Sequence, residues 1–346
     1  METHLMDLAA GQVGHANVRV IVSNSTQKNE TSVLSGVDVT RVARWGIIAS
    51  MPVCPGLISA LRHSPADLVH LHAPNPGAAF AYLLSGHRGK LVITHHADTL
   101  GRKVLRKLSD GFVKKAMGMA SAIIVTSQRY LDSSLELEPY KEKCHVIPLG
   151  IDTRQITANS IESGLTQHPR HLVAVGRLVP YKGFDVLIRA MHQVDAHLTV
   201  VGTGPQAQEL QALIDVLNLN EKVSLVGRVD DLKSYLHSAA IFVMPSITRA
   251  EAFGIVQLEA MAAGLPVVNT DIDSGVPEIS LHRETGLTVP PGDAPALAEA
   301  INLLLSSPDL RRQYGKAAQE RVLRMYSVDK MLERTLAVYG QVLGAS

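Results

Sequence analysis

The sequence has few of the features that several large classes of protein require. Only two of its 346 residues are cysteines, and Cys54 and Cys144 stand alone, which excludes a disulfide framework and fits a reducing compartment. One Trp, eight Tyr and five Phe are too few for stacking on single-stranded nucleic acid. A formal net charge of +1 provides no field that would attract a polyanion. We therefore expect no nucleic-acid partner.

Long apolar runs are also missing. None approaches the roughly 18 residues that cross a bilayer, and the start METHLMDLAAGQVGH has neither a basic flank nor an apolar signal core. We therefore expect a cytoplasmic protein. The segment 101–115, GRKVLRKLSDGFVKK, holds six cations and one anion, with apolar residues near helical spacing. This pattern favours a helix on an anionic membrane surface, at the inner face of the cell membrane, although a solvated helix is the alternative.

What the chain does contain is an alternation of apolar runs and longer amphipathic stretches, typical of an α/β fold with parallel sheets. With 46% hydrophobic residues, its length predicts about two domains of roughly 150 residues each. The polar stretch between Asp152 and Arg170 lacks an apolar period, so we place a linker at 153–170. Predicted strands cover 18–23, 37–42, 67–72, 90–95, 122–127 and 145–150 before this linker, and 171–176, 197–202, 222–227, 241–246 and 266–270 after it.

The most informative segment is EAFGIVQLEAMAAGLPVV. It follows a predicted strand and forms a helix from about Gly254, closed by Gly264. The amides of Phe253, Gly254 and Ile255 would then lie at a helix N-terminus, which suits a phosphate. Glu251 before the helix and Glu259 within it could bind a sugar and a ribose; the alternative is one first-turn acid and one solvated acid.

A second segment, VGRLVPYKGFDVLIRAM, follows the first strand of the second half. Its loop opens on the carboxyl edge of the sheet, where such folds bind ligands. Arg177 and Lys182 would meet a diphosphate there, although two surface cations around a turn are the simpler alternative.

With these motifs the chain resembles the family-4 retaining glycosyltransferases of GT-B architecture, most closely bacterial enzymes that build O antigen or other surface polysaccharides. In the second half the resemblance is carried by GRLVPYKGFDVLI, VVGTGP, EAFGIVQLE, AMAAGLPVV, SGVPEI and TGLTVPPGD. In the first half it is carried by DLVHLHAPNP, VITHHAD, SAIIVTSQRY and VIPLGID.

The resemblance implies two doubly wound, Rossmann-like domains facing across a cleft. The first, on the acceptor side, covers 1–152, and the nucleotide-sugar domain covers 171–326. The segment 327–346 would be a helix that crosses back to the first domain.

The resemblance also implies roles for individual residues. Arg177 and Lys182 match the cations on the donor diphosphate, and Glu259 matches the acid that binds ribose hydroxyls. Glu251 and the amides of Phe253, Gly254 and Ile255 match the group that holds the donor sugar and phosphates. Gly227 and Arg228 match a turn near the nucleobase. His96 matches the histidine of a Thr-x-His-x-Asp pattern beside the reacting sugar, where a packed strand-end histidine is the alternative.

The implied reaction is retaining transfer of a hexosyl group from a GDP- or UDP-linked sugar to a lipid-linked saccharide. The departing diphosphate carries the developing charge, so we expect neither a metal nor a further cofactor. Three other patterns leave alternatives open. Gly202, Gly204 and Ala207 satisfy a relaxed dinucleotide fingerprint, which would fit a nicotinamide oxidoreductase. Asp271 and Asp273 form the Asp-x-Asp pair of metal-dependent transferases, although such a pair also arises by chance in a loop. Zinc could bind a cluster of histidines at strand ends, which comprises His70, His72, His95 and His96.

The sequence departs from the family at its start. Family members open with a strand, a glycine-rich loop and a helix, whereas METHLMDLAAGQ resembles that helix itself. The first domain is thus expected to lack its first strand, and the neighbouring strands to have unpaired backbone edges. The alternative function is therefore a truncated or degenerate homologue that binds nucleotide without efficient transfer.

Overall fold

The computed structural model describes residues 2–48, 51–98, 103–154 and 168–344. The chain divides into two compact units. The first contains Met1–Gly150 and Val328–Ser346, and the second contains Ile151–Ser327. Parallel strands alternate with helices in both units, which confirms the predicted α/β class.

The first unit begins with a helix, where the sequence resembles the helix that follows the family's first strand. Its described elements are α1 (Glu2–Gln12), β1 (Arg19–Ser23), β2 (Glu30–Leu34), β3 (Val37–Val42), β4 (Gly46–Ile48), β5 (Met51–Val53), α2 (Gly56–Arg62), β6 (Leu68–Ala73), α3 (Pro76–Ser85), β7 (Lys90–His95), α4 (Lys103–Met119), β8 (Ala122–Val125), α5 (Gln128–Ser133) and β9 (Cys144–Val146).

The second unit has the regular alternation of a doubly wound fold. Its described elements are β10 (His171–Val175), α6 (Phe184–Ala190), β11 (His197–Val201), α7 (Ala207–Val216), β12 (Val223–Gly227), α8 (Leu232–Ser238), β13 (Ile241–Met244), α9 (Ile255–Ala262), β14 (Val267–Thr270), α10 (Val276–Ile279), β15 (Gly286–Val289), α11 (Ala294–Ser306) and α12 (Pro308–Met325). The final helix, α13 (Val328–Leu343), belongs to the first unit.

The strands of the second unit form one six-stranded parallel sheet in the order β12-β11-β10-β13-β14-β15. Its inner strands β13 and β14 are buried at every position, because helices cover both faces of such a sheet. The reversal of strand order lies between β10 and β13, and the carboxyl ends of these two neighbours mark the place where doubly wound folds bind ligands.

The first unit distributes its strands over separate sheets. One has the order β1-β3-β2, another has the order β6-β7-β8-β9, and β4 and β5 form a hairpin. Among the described residues, β1 pairs only with β3, and β6 pairs only with β7. A doubly wound sheet places its first strand between the second and the fourth, which correspond here to β1 and β6. The expected unpaired edges are therefore found in the described part of the first unit.

Helix α1 packs against both of these sheets. Leu8 lies in an apolar cluster with Val92 of β7 and Ile124 of β8, whereas the adjacent Ala9 packs with Val37 and Val39 of β3. Neighbouring positions on a helix point in directions about 100° apart, so one turn of α1 can contact both groups of strands. Helix α1 thus connects the two parts of the first unit through side-chain packing.

Four strands were not predicted from the sequence. β2 is antiparallel to β3 and reads ETSVL, which is polar and mostly exposed. The hairpin strands β4 and β5 are only three residues long. The short β15 is mostly buried but reads GLTV, which lacks the continuous apolar run by which the other strands were identified. The expectation of parallel sheets throughout is therefore wrong for β2 and for the β4–β5 hairpin.

Two of the predicted segments lie partly or wholly outside the described residues. In the linker, nothing between 155 and 167 is described, and in the basic segment the side chains are described only from residue 111 onward. The backbone of α4 is helical, as predicted for the basic segment. In the described ranges, no helix has both the length and the apolar content that a membrane crossing demands.

Candidate active site

The loops after β10 and β13 meet at the carboxyl edge of the second-unit sheet. The N–H of Ile247 donates to the carbonyl oxygen of Tyr181 at 2.8 Å. Gly183 adopts φ +67°, and a Cβ at this position would lie 2.1 Å from the carbonyl oxygen of Pro245. Only glycine permits this close approach of the two loops. The segment with Arg177 and Lys182 is thereby held against the segment that leads to Glu251.

An ion pair joins these two loops. The Nζ atom of Lys182 contacts Oε2 of Glu251, and the side chains are only 12% and 11% exposed. The hydroxyl of Ser246 also donates to Oε2 of Glu251, at 3.4 Å. A Cβ at residue 176 would lie 3.2 Å from Nζ of Lys182, so Gly176 leaves room for the ammonium group. Lys182 and Glu251, which are 69 positions apart in the sequence, therefore form an ion pair at the carboxyl edge of the sheet.

The helix that follows Glu251 begins as the sequence predicted, within one residue. Gly254 precedes α9 with φ +80°, and a Cβ there would lie 2.8 Å from Sδ of Met244. No side chain caps this helix, so its first N–H groups are available to an anion. Phe253 is buried, whereas Ile255 is exposed. The uncapped start of α9 therefore lies close in sequence to Glu251.

Glu259 lies one turn further along α9 in a half-buried position. Burial raises the pKa of its carboxyl to about 7, and the nearby Lys233 of α8 opposes this shift. The solvated-acid alternative is thus inconsistent with the structure. A carboxyl that titrates near neutral pH can accept hydrogen bonds from a diol in its ionised form.

Of the remaining predicted donor residues, the two arginines are exposed and Gly227 is half-buried. Arg177 follows β10 and presents an exposed side chain. Gly227 ends β12 with φ +72°, and its carbonyl oxygen accepts a hydrogen bond from the N–H of Gly202 at 2.7 Å. Arg228 comes next and is also exposed. These residues lie on the loops after β10 and β12.

A set of buried polar residues that no sequence motif marked lies on α9 and β14. Nε2 of Gln257 and Nδ2 of Asn269 each donate to the carbonyl oxygen of Val276 at 3.1 Å. Asn269 also donates to Ser280 at 3.3 Å, and the hydroxyl of Thr270 donates to the carbonyl oxygen of Ser246. These bonds tie α9, β14 and α10 together and support the loop that carries Glu251. In the sequence, the signal for this set was Gln257, a polar residue among the apolar positions of α9.

The structure gives the glycines of the dinucleotide fingerprint another role. A Cβ on Gly202 would lie 1.9 Å from the carbonyl oxygen of Gly176, and one on Gly204 would lie 2.3 Å from that of Leu178. Both glycines are needed for packing of the β11 loop on the β10 loop. A nicotinamide-binding interpretation is therefore unnecessary.

In the first unit, His96 follows β7 directly. Its N–H donates to the carbonyl oxygen of Ala73 at 2.9 Å, and its Nε2 lies 2.9 Å from Nδ1 of His72. Burial, followed by the neighbouring His4 and His70, lowers the pKa of His96 to about 3, so the ring is neutral. Asp98, two residues on, accepts hydrogen bonds from Tyr130 at 2.7 Å and Ser134 at 2.6 Å, which fixes this loop.

The four histidines suggested as zinc ligands do not converge. His70 contacts the hydroxyls of Tyr339 and Thr94, and Nε2 of His95 lies 3.5 Å from Glu136. A different set comes together, since one ring nitrogen from each of His4, His72 and His96 lies within 4.8 Å of the others.

The two α/β units, the second with cationic residues and an uncapped helix start at the carboxyl edge of its sheet, agree with the GT-B class of glycosyltransferases. The model of Glycosyltransferase Family 4 matches residues 1–155, and the model of Glycosyl transferases group 1 matches residues 155–321. The chain therefore belongs to the group 1 glycosyltransferases, with a family 4 amino-terminal half, and the resemblance drawn from its motifs is confirmed.

Known relatives agree with this assignment. The D-rhamnosyltransferase WbpZ of Pseudomonas aeruginosa is 32% identical over 270 residues, which cover 76% of this chain and 70% of the relative. The O-antigen chain mannosyltransferase C of Escherichia coli is 28% identical over 80% of this chain and 76% of its own length. The solved structure of Anabaena Alr3699/HepE with UDP-glucose superimposes with a TM-score of 0.76 at 21% identity, covering 98% of this chain and 95% of that one.

Proposed function

We propose that this chain transfers a hexosyl group from a nucleotide diphosphate sugar to a lipid-linked saccharide, with retention of configuration, in the synthesis of a surface polysaccharide. The observation that carries the proposal is the Lys182–Glu251 pair beside the start of α9, at the ligand-binding edge of the sheet. The rhamnosyl- and mannosyltransferase relatives support a hexosyl group and an O-antigen type of product. The HepE structure with UDP-glucose supports a nucleotide-sugar donor.

The residues of the second unit suit the departure of a diphosphate. As the bond from C1 of the sugar to the phosphate oxygen breaks, negative charge grows on the diphosphate. Lys182, Arg177 and the first N–H groups of α9 would stabilise that charge. When phosphate replaces the carboxylate as the partner of Lys182, Glu251 becomes free to accept hydrogen bonds from the sugar hydroxyls. The ion pair thus keeps both groups in place until the donor binds.

The proposed chemistry is a front-face displacement. The acceptor oxygen forms the new bond to C1 on the side from which the diphosphate leaves, and the acceptor proton passes to the leaving phosphate oxygen. No carboxylate nucleophile is needed, unlike the double displacement of retaining glycosidases. His96, as a neutral imidazole, would exchange hydrogen bonds with a hydroxyl of the reacting sugar. The route uses no metal and no cofactor beyond the donor.

A donor screen tests the proposal. GDP- and UDP-linked hexoses are compared by ligand-induced thermal shift, and the stabilising donors are then incubated with saccharide acceptors. We expect stabilisation by donors of one base, and an NMR spectrum in which the product has the anomeric configuration of the donor. An inverted product would reject retention, and a complete lack of donor binding would reject the function.

The unpaired edges of β1 and β6 favour a second candidate, nucleotide binding without efficient transfer. The same screen separates the two functions. Donor binding with no measurable transfer supports the second candidate, whereas robust turnover removes it.

A further inference from the structure

We propose that His4, His72 and His96 form a binding site for a zinc-class divalent metal ion within the first unit. The proposed transfer uses no metal, so this site is additional to it, and the two proposals can fail separately. One ring nitrogen from each of the three residues lies within 4.8 Å of the others. Three imidazoles with an open fourth position are a recurring ligand set for Zn²⁺, with Zn–N distances of about 2.0 to 2.1 Å.

Two of the ligands are fixed by the sheet. His72 lies on β6 opposite Thr94 of β7, and His96 directly follows the pairing of His95 with Ala73. The two rings are stacked with centroids 5.2 Å apart, and Nδ1 of His72 is 2.9 Å from Nε2 of His96. At this distance one ring nitrogen donates its N–H to the other. If the donating ring changes tautomer, its proton moves to the other nitrogen of the same ring, and both facing nitrogens offer lone pairs to a metal ion. Neighbouring strands therefore place two donor nitrogens at nearly the spacing that a tetrahedral ion requires.

The third ligand comes from α1 and carries the independent observation. His4 is only 6% exposed, yet its Nδ1 atom has no hydrogen-bond partner among the described residues. Its ring lies edge-on to His72 and His96, with centroid distances of 6.0 and 5.6 Å. A buried polar nitrogen without a partner destabilises the fold, and coordination would satisfy it.

Tetrahedral Zn–N bonds of about 2.0 to 2.1 Å place the ligand nitrogens about 3.4 Å apart. The distance of 2.9 Å between Nδ1 of His72 and Nε2 of His96 would therefore widen slightly, and longer separations within the 4.8 Å set would shorten. Changes of this size need only small ring movements.

Occupation of the site would link α1 to the carboxyl ends of β6 and β7. These two strands belong to one sheet of the first unit, and α1 also packs on the other sheet. A bound ion would therefore stabilise the first unit by an amount that grows with the logarithm of its concentration relative to Kd. It would also occupy a ring nitrogen of His96, so binding is measured without donor and acceptor.

The test uses the untagged 346-residue chain freed of metal with a chelator. Co²⁺ is titrated while its visible absorption is followed, and Zn²⁺ is then added as a competitor. We expect about one Co²⁺ per chain with the intense bands of a tetrahedral site, displacement by Zn²⁺, and a higher melting temperature with Zn²⁺. The matched control is His63→Ala, which removes an exposed histidine from the same unit and should change nothing.

Two variants of His4 decide the outcome. His4→Ala should weaken Zn²⁺ binding by at least about 10- to 100-fold, the loss that removal of even an outer partner causes. His4→Cys should keep the metal and add a thiolate-to-cobalt charge-transfer band, which also shows that the unit remains folded. Unchanged affinity in His4→Ala overturns the proposal.

A neighbouring set of potential ligands provides the competing outcome. His95, Asp98 and Glu136 also place ligand atoms within 4.8 Å of one another. Loss of Zn²⁺ binding in Glu136→Gln with retention in His4→Ala would assign the ion to that set and overturn the three-histidine site.

Discussion

The two units contain parallel strands of similar length but bury them to different extents. In the second unit, β10 and β13 each have a neighbour on both sides, and β13 is buried at all four positions. In the first unit, β1 and β6 each have one described neighbour, and most of their residues are only half-buried. Parallel strands are stable where partners flank both edges and helices cover both faces. The continuity of the sheet therefore decides how much of each strand is buried.

The two parts of the chain also differ in the sign of their net charge. Residues 1–150 carry 16 basic and 11 acidic side chains, a net charge of +5, whereas residues 151–346 carry 17 and 21, a net charge of −4. Cations at the sheet edge of the second unit therefore act against an acidic background. The first part of the chain has the excess that an anionic surface would attract.

The largest expected effect is the loss of transfer when a cation is removed from the sheet edge of the second unit. Lys182→Ala should reduce transfer by roughly 100-fold or more, because it removes charge stabilisation from the departing diphosphate. Arg177→Ala should have a similar effect. The matched control is Lys316→Ala, which removes an exposed lysine from α12. Near-wild-type turnover in Lys182→Ala, measured with the preferred donor, would remove the diphosphate role from this loop.

Loss of Lys182 also leaves Glu251 without its cation in a nearly buried position, so folding needs its own control. The double variant Lys182→Met, Glu251→Gln replaces both charges by neutral groups of similar size. We expect it to melt like the wild type and still to lack transfer. Recovery of activity in the double variant would show that the pair is structural.

The next largest effect is on membrane binding and tests the positive charge of the first part of the chain. If the basic segment lies on a membrane, Arg106→Glu with Lys107→Glu should weaken binding to anionic vesicles by about 30-fold, since each cation contributes about 1 kcal/mol. Nucleotide affinity should not change. Arg312→Glu with Lys316→Glu, two exposed cations of α12, is the control in the second unit. Sedimentation with vesicles that shows equal binding by both double variants would favour a solvated helix.

A smaller effect is expected in the amide hydrogen exchange of strands from the two units. Amide protons of β1 and β6 should exchange with solvent about tenfold or more faster than those of β10 and β13, because strands at open edges open locally at lower cost. Strands β7 and β8 of the same unit should be intermediate. Equal protection in all these strands would contradict the comparison.

The smallest effect is a pH dependence of donor binding. The pKa of the Glu259 carboxyl is raised to about 7 by burial, so the group is mostly protonated below pH 7 and ionised above it. Since a carboxylate accepts two hydroxyl donors and a carboxylic acid is a poorer acceptor, nucleotide affinity should rise a few-fold from about pH 6 to pH 8. Calorimetry on Glu259→Gln should give a flat profile. A pH dependence that persists in this variant would assign the effect to another group.

The sequence was sufficient for those parts of the fold that depend on local pattern. Continuous apolar runs identified β7, β8 and the strands β10 to β14, because strands buried on both faces need apolar residues at every position. The exposed β2 and the hairpin strands lack this pattern, and their pairing depends on chain geometry rather than on burial. The start of α9 was predicted because Gly254 and Gly264 mark the ends of a helix in sequence.

The site itself was only partly predictable. Lys182, Glu251 and Glu259 were identified as residue types at suggestive positions, but the contact between the first two depends on how the β10 and β13 loops pack. The effect of Lys233 on Glu259 likewise comes from a helix that no motif marked. His4 was not singled out because it lies on a helix far in sequence from His72 and His96. Long-range pairing of this kind is set by topology, which local patterns do not encode.

The order of the chain gives α13 a consequence for biosynthesis. Residues 328–343 return to the first unit, where Met331 and Val338 lie in the same apolar cluster as Leu8, and the N–H of Gly150 donates to Sδ of Met331. The second unit, in contrast, is one uninterrupted segment. On the ribosome the second unit can therefore complete its core before the first, although the first is synthesised earlier. Until α13 has emerged from the ribosome, the apolar cluster in which α1 packs against β7 and β8 remains incomplete.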